Sequence, residues 1–232
     1  MDTSDALAQL FEKERQFVYQ RGDMIIRAGD LPSGVYYIIS GWVKLYSLCR
    51  DGELNIIATL FPGEVFPLAW AVTDTLRDVN FVALGTTQVA RLPKDQFVKA
   101  MQTNRAVSQA VLSALSLYSV RLTDEIDNLH YRSARERVVF RLLSLAKHFG
   151  ELNKGNGHTV IKVAISNGYI ARSTNMTRET VSRQLSRLSQ RKLIVNMNGY
   201  IVVPDLAVLK AEAGRKPGSQ TSVDQASVTS HY

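Results

Sequence analysis

From Gly22 to about Leu92 the apolar residues come in short runs, broken at close intervals by turn formers. The stretches "MIIRAGD", "GVYYIISGWVKLYSL", "LNIIATLFPGEVF", "NFVALG" and "TQVARLP" are rich in β-branched and aromatic residues. Gly22, Gly29, Gly34, Gly41, Gly52, Gly63 and Gly85 punctuate them. Short strands with regular turn signals predict an all-β sandwich, barrel or roll, with Asp51-Gly52 and Pro62-Gly63 as the clearest turns. At Pro93 the period changes and a helical stretch begins. A longer helix is expected from about Asn104 to His130. In it Val111, Leu115, Tyr118, Leu122, Ile126 and Leu129 recur at spacings of 4, 3, 4, 4 and 3. A seam of nearly three heptads on a helix about 40 Å long predicts a coiled coil between two copies of the chain.

Beyond the seam, "SARERVVFRLLSLAKHFG" reads as a helix N-capped by Ser133 and ended by Gly150. "HTVIKVAI" follows as a strand. "SNGYIARST" and "MTRETVSRQLSRLSQRKL" read as two helices joined by a short turn around Asn175, and "LIVNMNGYIVVP" as a hairpin around Asn198-Gly199. Helix, strand, two tightly joined helices and a hairpin make a winged helix-turn-helix. The expected class is α+β, in four parts. A β-domain, sandwich, barrel or roll, spans 1–103, and a dimerisation helix with hinge spans 104–131. The winged helix-turn-helix covers 132–210. A Gly/Ser/Thr/Gln-rich tail over 211–232, without periodicity, is expected to be disordered.

Charge sharpens this division. Residues 131–210 carry 14 Lys/Arg against 4 Asp/Glu, whereas residues 1–130 carry 12 against 15. The basic excess therefore sits in the segment with the helix-turn-helix pattern, as nucleic-acid binding requires. The single cysteine, Cys49, excludes an internal disulfide and any four-cysteine cluster, and fits a reducing cytoplasm. The first residues lack the apolar core of a signal peptide, and no apolar run reaches the ~18 residues that span a bilayer. No metal site is expected. No HExxH, P-loop, Cys–His pair or Ser-His-Asp order appears, so an enzyme is not expected.

In the second helix of the pair, Thr177 is placed as N-cap. Val181, Leu185 and Leu188 fall within about 60° of one another and form the seating stripe. Glu179, Ser182, Arg183, Ser186 and Gln190 face the other way, with Arg178 fanning out from the first turn. Arginine forks onto guanine O6 and N7, and glutamate accepts from cytosine N4. Glutamate is informative because it opposes phosphate, so a surface that merely sticks to DNA gains nothing from it. Thr177 and Thr180 at the helix start are placed for phosphate, and Arg187 for phosphate or solvent.

The segment "ARSTNMTRETVSRQLSRLSQRKLI" resembles the helix-turn-helix signature of the Crp/Fnr family of bacterial transcription regulators. The order of roll, long helix and winged helix agrees over about residues 20–208, and the resemblance implies that the β-domain over 1–103 is a sensor roll of the jelly-roll or double-stranded β-helix type. The resemblance implies a cytoplasmic homodimer on double-stranded DNA, with RNA polymerase as partner if it activates. It implies Arg178, Glu179, Ser182 and Arg183 as base readers, and inverted half-sites containing TGA. "GDMIIRAGDLPSGVYYIISGWVKLY" and "FPGEVF" also resemble a cyclic-nucleotide-binding domain, but its phosphate cassette is broken. Pro67 and Leu68 stand where a Gly-Glu pair is expected, and Asp78 and Val79 where Arg-Ser or Arg-Thr is expected. Arg77 lies one place away. A carboxylate where phosphate should sit repels it, which argues against cyclic AMP. One cysteine argues against an iron–sulfur cluster. His130, His148, His158 and His231 all lie outside residues 1–129, which argues against histidine-ligated haem. Phe61, Phe66, Trp70, Phe81 and Tyr118 are the candidates for an apolar effector pocket, with ordinary core as their alternative role; Cys49 is a candidate redox switch or a small buried hydrophobe. Two alternatives to an effector-controlled regulator remain: a regulator competent for DNA without an effector, and a nucleotide-sensing module acting on a partner protein.

Overall fold

A computed structural model describes residues 3–48, 54–131, 133–162, 165–197 and 200–213. Cys49, the Asp51-Gly52 and Asn198-Gly199 turns and residues 214–232 lie outside it, as do the side chains of Leu129 and His130. The chain divides into two compact units, Met1–His130 and Tyr131–Tyr232.

The first unit opens with α1 (Thr3–Phe11) and then builds eight strands. These are β1 (Arg15–Tyr19), β2 (Met24–Ile26), β3 (Val35–Ser40), β4 (Val43–Leu48), β5 (Leu54–Leu60), β6 (Val65–Phe66), β7 (Asn80–Ala83) and β8 (Thr87–Leu92). They form two antiparallel four-stranded sheets, ordered β1-β8-β3-β6 and β2-β7-β4-β5. One core lies between the sheets, where Tyr36, Ile38 and Val89 of the first meet Val43, Leu45, Leu60 and Phe81 of the second. Alternate residues of the first sheet, Val35, Ala90 and Leu92, point the other way into a second core. That core takes Leu7 and Phe11 of α1, Trp70 of α2 (Leu68–Thr73), Phe97 of α3 (Lys94–Thr103) and Val107, Ala110 and Val111 of α4 (Arg105–Tyr131). Both faces of β3 and β8 are largely buried, whereas the edge strand β1 is mostly exposed. Gly41 is required at its turn: φ is +80°, and an added Cβ would stand 2.4 Å from the Thr86 carbonyl oxygen.

Two candidate sets are redistributed by this packing. Val111 is 2% exposed and belongs to its own unit's core, so it is not available to an exposed seam. Leu112 stands one residue further round the helix, 66% exposed. Leu112, Leu115, Ser119, Leu122 and Ile126 are all exposed, and their spacing of 3, 4, 3 and 4 is a stricter heptad seam than the expected one. Tyr118 is half-buried on the flank of that line, while Leu117 and Val120 are exposed outside it. The aromatic set also divides, because the first sheet stands between its members. Phe66 stacks on Phe81 (5.0 Å) and on Tyr36 (5.3 Å) between the sheets, whereas Trp70 belongs to the outer core. A salt bridge from Arg121 of α4 to Glu64 ties the long helix to the β5–β6 loop.

The second unit comprises α5 (Ala134–Phe149), β9 (Gly150–Leu152), β10 (Thr159–Ile161), α6 (Asn167–Ser173), α7 (Arg178–Gln190), β11 (Val195–Met197), β12 (Tyr200–Val203) and α8 (Leu206–Glu212). Ser133 caps α5, as its sequence predicts, and completes a full capping box with Glu136. Val138, Val139, Leu142, Leu145, Ala146 and Phe149 make the buried face of α5, against which α6, α7, α8 and β10 lie. Gly150 is needed for close approach rather than for its dihedral angles. A Cβ there would sit 2.2 Å from the Ala146 carbonyl oxygen and 2.6 Å from the Thr159 methyl group. The sheet runs β11-β12-β10-β9. Elements α1, α2, β1, β9 and α8 go beyond those predicted from periodicity, and α8 replaces an irregular chain at 211–212.

Candidate nucleic-acid interface

The turn between α6 and α7 sits at Asn175, whose φ of +50° suits an asparagine. Ser173 and Thr174 are buried, and their hydroxyls donate back to the Ile170 carbonyl at 3.1 and 2.6 Å. Two arginines of α5 brace this turn from below. Arg141 Nη2 donates to the Ser173 carbonyl at 2.7 Å, and Arg137 Nη1 to the Thr174 carbonyl at 3.1 Å. Cations at the C-terminal end of α6 meet its orphan carbonyls and the negative end of its dipole. Their spacing of four residues on α5 was the available sequence signal, but it does not say which helix they reach.

Thr177 is the N-cap of α7, its Oγ1 accepting from the Thr180 amide at 3.2 Å. The buried face of α7 consists of Val181, Gln184 and Leu188, with Leu185 only half-buried. The helix is thus rotated from the expected stripe of Val181, Leu185 and Leu188 toward Gln184. The direction of its packing partners sets that rotation, and periodicity alone does not contain it. The Gln184 side-chain oxygen has no hydrogen-bond partner among the described residues.

Glu179, Ser182, Arg183, Ser186 and Arg187 are exposed on the opposite side. Arg183 Nη2 donates to Thr180 Oγ1 at 3.3 Å, and the hydroxyls of Thr177 and Thr180 are 3.0 Å apart. Arg178 is exposed but does not fan away from its helix. Its Nε would be 2.9 Å from a Cβ built on Gly168, so the guanidinium lies against α6 where that glycine leaves room. Arg191, the C-cap of α7, is held by Glu212 in a two-pronged ion pair at 2.8 and 2.6 Å. The Arg191 hydrogen bond first, and the charges of Arg191 and Arg135 after it, hold the Glu212 carboxyl below its ordinary range against the opposing effect of burial. Among the described residues no cluster of His, Cys, Asp or Glu is suited to a metal ion, and no helix is long and apolar enough to cross a membrane.

A tight helix pair, a hairpin registered from Val195↔Val202 to Met197↔Tyr200 beside it, and a strongly basic unit with a polar exposed recognition face define a winged helix-turn-helix DNA-binding protein. Residues 16–104 match the cyclic nucleotide-binding domain model and residues 136–212 the Crp-like helix-turn-helix domain model. The chain is 31% identical over 178 residues to the global nitrogen regulator of Nostoc sp., covering 76% of this chain and 79% of that one. It is 29% identical over 195 residues to the cyclic AMP receptor protein of Thermus thermophilus, covering 83% and 85%. A crystal structure of a Crp-family transcriptional regulator, also from Thermus thermophilus, shares the fold with a TM-score of 0.73 at 24% identity, over 86% of this chain and 97% of that one. The chain belongs to the Crp/Fnr family of transcription regulators. It carries the family's helix-turn-helix DNA-binding domain, and the family is one of regulators rather than enzymes.

Proposed function

We propose that the chain works as a homodimer that reads an inverted-repeat DNA site with TGA-containing half-sites and is not controlled by cyclic AMP. The observation that carries this reading is the exposed recognition face of α7, where Glu179 stands beside Ser182 and Arg183 in an otherwise basic unit. Glu179 accepts from a cytosine amino group, Arg183 and Arg178 fork onto guanines, and Ser182 supplies a further base contact. Arg178 leaves its place against Gly168 to do so. Thr177, Thr180 and Arg187 hold the phosphates, fixing register. The exposed seam of α4 supports a twofold-symmetric dimer, whose two recognition helices enter major grooves about 34 Å apart. A shift in the pose of the two DNA-binding units about the segment from His130 to Ser133 is how an effector acts, if one is used.

Against cyclic AMP stand the replaced cassette positions. Pro67 caps α2 and Leu68 begins it, while Asp78 is exposed and Val79 is buried in the core between the sheets. The three stacked rings of Tyr36, Phe66 and Phe81 occupy that same core, which favours a second reading in which the dimer binds DNA without a small-molecule effector. Selecting bound sites from random DNA, with and without cell extract, tests both. A TGA inverted repeat recovered in both arms supports effector-free binding. Recovery only with extract assigns an effector, and recovery of no common sequence in either arm overturns the proposed site.

A further inference from the structure

Glu212 is the last residue of α8, and its carboxylate bridges two arginines that belong to different helices. Arg191 closes α7, and Arg135 lies in the first turn of α5, with its Nη1 3.2 Å from Glu212 Oε2. The side chain of Glu212 is only 16% exposed, whereas Arg135 and Arg191 are 49% and 52% exposed. The carboxylate is thus more covered than either of the two cations it meets. Leu209 anchors α8 in the core one turn earlier, with no exposure, so the carboxylate is held in place rather than free to follow either arginine. The N-cap Asp205 fixes the other end of α8 by accepting from the amides of Ala207 and Val208.

From this geometry we infer that Glu212 is a positioning residue for the recognition helix: through one carboxylate it couples the end of α7 to the start of α5, which follows directly on the boundary between the two units. Arg191 is thereby withdrawn from phosphate contact, although it is a cation at the end of the recognition helix. Any change in direction of the first turn of α5 is felt at the end of α7 through the shared partner. The inference rests on the DNA-reading role proposed above, and its test separates the two.

The experiment compares the full chain with Glu212→Gln and Arg135→Gln by amide hydrogen exchange of the free protein and by affinity for the selected DNA site. Glu212→Gln is expected to raise exchange about ten-fold in the last turn of α7 and the first turn of α5. It is also expected to weaken specific binding about three- to ten-fold while binding to random-sequence DNA, which a freed Arg191 can only strengthen, does not fall. Arg135→Gln is expected to loosen α5 and to weaken binding by a smaller factor. If Glu212→Gln changes exchange in α8 alone, or nowhere, the coupling is overturned whatever happens with DNA. Unchanged affinity alongside increased exchange overturns the positioning role. If exchange responds as expected and the wild type binds no specific site, the coupling stands and the DNA-reading role fails.

Discussion

Leu122→Ala tests the proposed dimer and its register together. Leu122 is 40% exposed on α4 and lies in the seam with Leu112 (66%), Leu115 (41%) and Ile126 (55%). Covering a leucine side chain completely contributes about 1.5–3 kcal/mol. The exposed two-fifths of Leu122 then contributes about 1 kcal/mol on dimerisation. Twofold symmetry presents the residue twice, so the substitution removes about 2 kcal/mol per dimer and raises the dissociation constant about 30-fold. Sedimentation equilibrium of the free protein reads this directly. Val111→Ala is the matched control, because Val111 is 2% exposed in its own unit. It is expected to lower the folding stability of that unit by about 2 kcal/mol and to leave the dimer constant alone. The reverse pattern, with Val111→Ala weakening the dimer and Leu122→Ala leaving it intact, would refute the register. A wild type that stays monomeric at tens of micromolar, with or without DNA, would refute the dimer.

Glu179→Ala should relax preference at one base pair of the selected site while the salt dependence of binding stays the same; equal loss on all sequences removes Glu179 from the base readers. Gly150→Ala should destabilise the DNA-binding unit by about 2 kcal/mol or more, seen in thermal melts, since its Cβ would meet a backbone oxygen at 2.2 Å that only a backbone shift can move. Glu212 is held below its ordinary value of 4.5, first by the Arg191 hydrogen bond and also by the charge of Arg135. A depressed carboxylate stabilises the folded state fully above its unfolded value and loses that contribution as pH falls through the folded one. The stability difference between wild type and Glu212→Gln should therefore be level from pH 7 to about 5 and shrink only below about 4.5; a difference that shrinks between pH 7 and 6 contradicts the assignment.

Local chemistry made much of this protein legible in its sequence. Ser133 with Glu136 starts α5, Thr177 starts α7, and Asn175 turns the chain between the paired helices, because caps and turns depend on residues within about one helical turn of one another. The exposed polar face of α7 and the basic excess of its unit were readable for the same reason. The rotation of a helix about its own axis is different. Whether Leu185 or Gln184 is buried, and whether Val111 or Leu112 joins the exposed seam, depends on a neighbour distant in the chain. A 40° or 100° rotation leaves the periodicity as regular as before. Arg178 looked free to fan outward, and only the space at Gly168, on another helix, gives it a place to lie. The four-residue spacing of Arg137 and Arg141 does not say which helix they reach, and nothing local singles out Glu212; their partners at Thr174, Ser173 and Arg191 lie 37, 32 and 21 residues away. The sequence by itself therefore determined most of the elements, their order and the exposed polar face of α7 proposed above to read DNA. The tertiary structure decided which member of each apolar stripe is core and which charged groups brace the recognition helix, since those are contacts between surfaces that the chain brings together only on folding.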